Sequence, residues 1–258
     1  MLSEKTRIVG ASAIGNVLEW FDFAIYGYFA ITIGKTFFPH QDTVAQLLST
    51  FGVFAIGCLM RPLGSLVSGS IGDRYGRHAA LNVSMTGMAF STFLVGILPG
   101  YETLGMLAPI LLTILRVVQG LAIGGECPTA FIFMIEHAGP HRRGLAGAMA
   151  TGGGTAGILV GSAVGALLTA LLPPDVLQDW RWRLPFLLGL PVGFLGIWLR
   201  RRVPEPPRTG DVVAAPVREV LKHHLPLLFR LAGIAALGAV TFYIVFLYLV
   251  SWLQFVDG

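Results

Sequence analysis

The chain has 258 residues, of which 54% are hydrophobic and 12% charged, with a formal net charge of +4 and a mean hydropathy of +0.72. A soluble domain carries roughly 25% charged residues, so the composition excludes that class and points to a membrane protein. The basic residues gather at the ends of apolar stretches, which makes membrane orientation, not nucleic acid, the reason for the positive balance.

A bilayer core about 30 Å thick is crossed by about 20 apolar residues in a helix. Seven windows meet that requirement: residues 8–34, 43–70, 79–98, 103–135, 144–172, 184–199 and 231–253. The first is too long for a cleavable signal sequence and holds Glu19 and Asp22 in its middle, so it reads as a true span. At about 100° per residue, Asn16, Glu19, Asp22, Phe23 and Tyr26 share one face. Ionisable groups at membrane depth face a cavity or a partner. Glu19 and Asp22 are therefore either a proton-carrying pair, since burial and like-charge repulsion favour neutral carboxyls, or charges locked by arginines such as Arg61 or Arg116.

The second window contains Arg61-Pro62, too deep to snorkel freely, with an ion pair or a ligand contact as its two readings. Between the second and third windows lies a charged decapeptide, Gly69-Ser70-Ile71-Gly72-Asp73-Arg74-Tyr75-Gly76-Arg77-His78. It is too polar for hydrocarbon and too short to fold alone, so it is expected as a glycine-broken surface loop holding two helix ends together.

In the fourth window Arg116, Gln119, Ile123 and Glu126 share a face. Arg116 and Glu126 are about 15 Å apart along the axis at 1.5 Å per residue, so they cannot pair with each other and each needs a partner elsewhere, or water. Arg116 is also suited to holding an anionic substrate group. After this window, Glu136 is followed by a turn and by Arg142-Arg143-Gly144, chemically a twin of the decapeptide. Asp73, Arg74, Arg77, Glu136 and Arg143 are expected to form one surface network that matters if it makes and breaks between conformers.

In the fifth window, Gly153, Gly157, Gly161 and Gly165 recur every four residues, a face for close helix approach, either static or sliding. The sixth window is the shortest and carries Pro185 and Pro191. Cys58 and Cys127 fall inside spans, where packing is expected and a disulfide is not. The histidines lie in loops or at helix ends; His223-His224 is a weak metal candidate against a solvated linker pair. No phosphate-binding glycine loop is present, so neither a cofactor nor a metal is expected.

Counted by alternate sides, Lys5, Arg7, Arg74, Arg77, Arg142, Arg143, Arg200, Arg201, Arg202, Arg208, Arg218, Lys222 and Arg230 face one way; Lys35, Arg181 and Arg183 face the other. The N-terminus is then cytosolic, and the odd number of spans puts the C-terminus outside. The basic, proline-containing stretch 200–230 reads as a seam between two six-helix halves, after which the sequence looks cut short.

These residues carry a resemblance. The decapeptide at 69–78 resembles the loop 2–3 signature of the major facilitator superfamily. Arg116-Val117-Val118-Gln119-Gly120 resembles the superfamily's fourth-helix motif, and Glu136 through Gly144 its loop 4–5 signature. Gly15-Asn16-Val17-Leu18-Glu19-Trp20-Phe21-Asp22-Phe23-Ala24-Ile25-Tyr26-Gly27, Arg61-Pro62-Leu63-Gly64 and Gln119 through Glu126 are similar to the metabolite:proton symporters, which carry proline and betaine, α-ketoglutarate, citrate and related organic acids. The resemblance implies twelve helices rocking as two halves around a midplane site. It also implies that Gly69, Gly72, Asp73, Arg74, Gly76 and Arg77, with Glu136, Arg142 and Arg143, latch the outward-facing state, and that Arg116 supports proton coupling.

The expectation is therefore an all-α polytopic membrane bundle. Residues 1–199 form a six-helix bundle, 200–230 a cytosolic linker, and 231–258 a seventh helix. The expected function is proton-coupled symport of a small organic acid or zwitterionic osmolyte, not enzyme catalysis. Asn16, Glu19, Asp22, Tyr26, Arg61, Arg116, Gln119 and Glu126 are the candidate substrate and proton-coupling residues. The expected partners are a small substrate, protons, the lipid bilayer of the inner (plasma) membrane, and a missing second half or another copy; nucleic acid is not among them. The rivals are a non-transporting remnant, a sugar porter of the same superfamily, and a polytopic membrane enzyme.

Overall fold

The structure is a computed structural model and describes residues 4–39, 42–138, 140–173, 180–201, 222 and 224–243. Among these, all regular structure is helical. Helix α1 (Glu4–Tyr28) continues through Phe29 into α2 (Ala30–Phe37). The Phe29 N–H donates to the Ile25 carbonyl at 3.0 Å and the Ile33 N–H to the Phe29 carbonyl at 2.8 Å, so the ladder hardly breaks.

Asp42 caps α3 (Thr43–Leu59), its Oδ1 accepting from the Val44 N–H at 2.9 Å. Met60 alone separates α3 from α4 (Arg61–Tyr75), where Pro62 sits in the first turn and costs no internal hydrogen bond. Helix α5 (Arg77–Ile97) follows after one residue, Gly76.

This corrects the loop expected at 69–78. Helix α4 runs through Tyr75 and α5 begins at Arg77, so the whole turn is Gly76. Its φ of 99° lies in a region that only glycine enters at little cost.

After the short α6 (Tyr101–Leu104) come α7 (Leu107–His137) and α8 (Arg143–Leu171), joined through a 3₁₀ turn at Pro140–Arg142. A second 3₁₀ turn, Arg181–Arg183, leads into α9 (Leu184–Leu187) and α10 (Gly189–Arg200). Five helical stretches among the described residues are long and apolar enough to cross a membrane: Thr43–Tyr75, Arg77–Ile97, Leu107–Ile132, Arg143–Leu171 and Arg181–Arg200. Helix α1 joins them in the bundle.

The chain divides into two compact units, Met1–Val212 and Val213–Gly258. In the second, α11 (Leu225–Tyr243) is an apolar helix that starts inside the stretch expected as linker. Residues 202–221 of that linker and 244–253 of the seventh window lie outside the described residues.

Within the first unit α1 packs most extensively on α8, and also against α7 and α10. Glycines make the first contact possible. A Cβ on Gly157 would lie 3.0 Å from the Phe21 N and the Trp20 Cβ, one on Gly161 2.7 Å from the Ala24 Cβ, and one on Gly165 2.7 Å from the Tyr28 ring. All four glycines of the predicted face are buried. Gly57 and Gly120 likewise bring α3 against α7, with Arg116 O only 2.9 Å from where a Gly57 Cβ would sit. Main-chain proximity of this kind brings the buried charges of different helices within reach of one another.

Candidate functional site

Asn16, Glu19, Asp22, Tyr26, Arg116, Gln119 and Glu126 are all buried, each no more than 3% exposed. The structure resolves their charges into three ion pairs between helices. In the first, Arg116 Nη1 of α7 reaches Asp22 Oδ2 of α1 at 2.6 Å. The same Nη1 donates to Gln119 Oε1 at 2.5 Å. Gln119 Nε2 donates to Thr92 Oγ1 at 2.8 Å, and that hydroxyl donates to Asp22 Oδ1 at 3.2 Å. Asp22, Arg116, Gln119 and Thr92 thus close a ring of hydrogen bonds linking α1, α5 and α7. Arg116 also stacks over the Tyr26 ring, 3.9 Å from Cζ to the centroid, and the Tyr26 hydroxyl donates to the Thr50 carbonyl at 2.9 Å.

In the second pair, Arg61 Nη2 of α4 meets Glu19 Oε1 at 3.0 Å. Arg61 is 30% exposed where Glu19 is 2% exposed, so this pair borders a more open space. Among the described residues Glu19 Oε2 has no hydrogen-bond partner, whereas both oxygens of Asp22 have one. Arg61 lies over the Phe23 ring at 4.5 Å. Phe23, Phe54, Arg61, Arg116 and Gln119 line a narrow, water-sized depression of about 10 Å³. Asn16, one turn from Glu19, donates through Nδ2 to the Ala150 carbonyl of α8 at 2.6 Å.

The third pair was not foreseen. Glu126 of α7 binds Arg200, the last residue of α10. Arg200 also donates through Nη1 to the Leu81 carbonyl of α5 at 2.9 Å. Arg200 stands at a span end, as the orientation count has it, but its side chain is 1% exposed and serves this pair. Gly15 leaves the room, because a side chain there would collide with the Glu126 carboxylate and come within 2.8 Å of Arg200 Nη2. Thr92 was missed as well. The unpaired Glu126 was the one available signal for Arg200; a neutral threonine gave none.

At the Gly76 turn, Arg77 Nη1 and Asp73 Oδ1 are 3.2 Å apart, an i,i+4 pair with side chains 27% and 36% exposed. Buried Gly72 lets Arg77 fold back, its Nη1 being 3.2 Å from where a Cβ would stand. Gly69 is half-buried, and Arg74, Arg142 and Arg143 are exposed. The backbone of Glu136 is in α7, but its side chain lies outside the described residues, as does that of Cys127. Cys58 carries a free thiol.

The chain is similar to known proteins. Residues 12–258 match the Major Facilitator Superfamily. The chain is 36% identical to the glycine betaine/proline/ectoine/pipecolic acid transporter OusA of Dickeya dadantii, over 96% of this chain and 52% of that protein. It is 35% identical to the proline/betaine transporter of Escherichia coli K12, over 96% of this chain and 53% of that one. The chain spans about half the length of the curated relatives it matches. Among solved structures, a D-xylose-proton symporter superimposes with a TM-score of 0.70 at 20% identity, over 92% of this chain and 57% of that one. The partially occluded, inward-open xylose transporter XylE of E. coli gives 0.69 at 19% identity, over 80% and 49%. At such identities the likeness is one of fold. The sequence match and the apolar helices agree: the chain is a multi-pass membrane protein and belongs to the Major Facilitator Superfamily.

Proposed function

We propose that the chain forms the N-terminal six-helix half, with one further helix, of a proton-coupled symporter that moves a small zwitterion such as a betaine or proline by alternating access. The ring formed by Asp22, Arg116, Gln119 and Thr92, beside the Arg61–Glu19 pair, carries this reading. A closed polar ring in the middle of apolar helices is expensive unless a cavity or cargo uses it. The names of the curated relatives support the substrate class.

Glu19 is the proton carrier in this scheme, because one of its oxygens is unpartnered while Asp22 is tied on both. Arg116 holds Asp22 and presents its guanidinium to the depression beside Phe23 and Phe54. The Asp73–Arg77 pair, with Glu136, Arg142 and Arg143, latches one state and releases in the other. The basic residues at the Gly76 turn and at Arg142-Arg143 put these ends, and the N-terminus, on the cytosolic side of the plasma membrane.

The test is proton-driven uptake of glycine betaine, proline and a panel of organic acids into proteoliposomes. It is run with this chain and with the chain fused to the second half of the E. coli proline/betaine transporter. Uphill uptake that needs the pH gradient, and that Glu19→Gln abolishes while leaving exchange intact, is the expected result. Failure of both forms to move any panel member overturns the reading, and undiminished uphill uptake by Glu19→Gln removes Glu19 from it.

A further inference from the structure

The far end of the first unit holds an open cavity of about 510 Å³. Its wall comes from the end of α2, the start of α3, the α5–α7 connection and the turn before α9. Among the described residues, three charged side chains line it: Lys35, Glu102 and Arg183. That end of the bundle carries few basic residues, namely Lys35, Arg181 and Arg183, so two of them meeting one carboxylate at a single cavity is a concentration of charge.

Arg183 is not a solvated rim residue. It is 7% exposed, its Nη2 donates to the Leu98 carbonyl at 3.2 Å, and its guanidinium stacks 4.5 Å over the Trp182 ring. A charge fixed this way keeps its position when a ligand arrives.

A chain of hydrogen bonds runs from the cavity wall toward the buried ring. Gln46, buried in its wall, accepts through its main-chain carbonyl from the Thr50 hydroxyl at 2.8 Å. Thr50 in turn accepts the Tyr26 hydroxyl at 2.9 Å. One helical turn of α3 and one phenol thus separate the cavity from Arg116 and Asp22.

We infer that this cavity is a vestibule that captures a small zwitterion, its carboxylate toward Arg183 and Lys35 and its cationic end toward Glu102 and the Tyr101 ring. Opposite charges around one space select a ligand that carries both signs, because an anion or a cation alone leaves one of them unmatched. An aromatic face beside a carboxylate suits a quaternary ammonium group. The inference rests on the zwitterion reading of the proposed function, and it adds a second place of contact outside the membrane-buried ring.

The experiment is maleimide labelling of Thr103→Cys, an exposed cavity residue, in membranes containing the full chain, with the parent chain as background for Cys58 and Cys127. Glycine betaine at twice its dissociation constant is expected to slow labelling about threefold by mass action. Acetate and tetramethylammonium at the same concentration protect less. Lys35→Gln and Glu102→Gln, both at exposed positions, are each expected to remove the protection. Labelling indifferent to betaine overturns the vestibule, as does protection that survives both substitutions, or acetate protecting as well as betaine. Labelling needs no transport. Protection without uptake therefore sinks the proposed function alone, and uptake without protection sinks the vestibule alone.

Discussion

Arg200 and Glu126, 74 residues apart in sequence, form an ion pair in which both side chains are withdrawn from solvent. It joins the end of α10 to the middle of α7, and through the Leu81 carbonyl to α5. Removing one partner of such a pair leaves an uncompensated charge and costs about 3–5 kcal/mol, while replacing both by apolar groups is near neutral. Arg200→Met is therefore expected to lower thermal stability in detergent by that amount. Arg200→Met with Glu126→Leu is expected to recover most of it, the two deviating from additivity by a coupling that a double-mutant cycle measures.

Thr92 bridges Asp22 and Gln119. Thr92→Val keeps the shape but strands the Gln119 amide, at a cost of about 1–3 kcal/mol. Thr92→Ser keeps the hydroxyl and is expected to restore the ring. If Thr92→Val and Thr92→Ser melt at the same temperature, the hydroxyl contributes nothing.

The α1–α8 contact predicts a sharp contrast between glycines of one helix. Gly161→Ala forces a methyl against Ala24 and the Phe21 carbonyl, 2.7 and 3.0 Å away, and overpacking of this kind costs about 1–3 kcal/mol. Gly152→Ala meets nothing within 4 Å and is expected to gain about 0.5–1 kcal/mol from helix propensity. Melting temperatures of the two purified variants give the comparison.

Asp73 and Arg77 are part-exposed, so their pair is worth about 0–1 kcal/mol and weakens with salt. Asp73→Asn should scarcely change the melting temperature. In the proposed latch role it should instead change how fast a cysteine placed in the Arg61–Phe54 depression is labelled. An unchanged rate would reduce the pair to a surface contact.

The sequence was most informative where a residue type is costly in its surroundings. Glu19, Asp22, Arg61 and Arg116 stood out as charges inside apolar windows, and the structure pairs them with one another. The glycine face of α8 was legible from its four-residue spacing, and α1 fills it. Arg200 was hidden because a basic residue at a span end has an ordinary explanation in membrane orientation, and only its neighbours reveal that it points inward. The Gly76 turn was read as a loop because charged residues resemble loop, yet Asp73 and Arg77 lie at helical spacing and support the two helix ends directly. Thr92 was invisible because a hydroxyl is cheap to place anywhere in a helix.

The pairing of α1 with later helices also bears on assembly. Glu19 and Asp22 enter the bilayer with the first helix, but Arg61 belongs to α4 and Arg116 to α7. Until those helices arrive, α1 carries two carboxyls in hydrocarbon without their cations, a cost that insertion measurements place at a few kcal/mol per charge. Helix α1, made before α4 and α7, is thus among the last of these helices to be electrostatically complete. Its lasting residence in the membrane depends on residues the ribosome has yet to deliver.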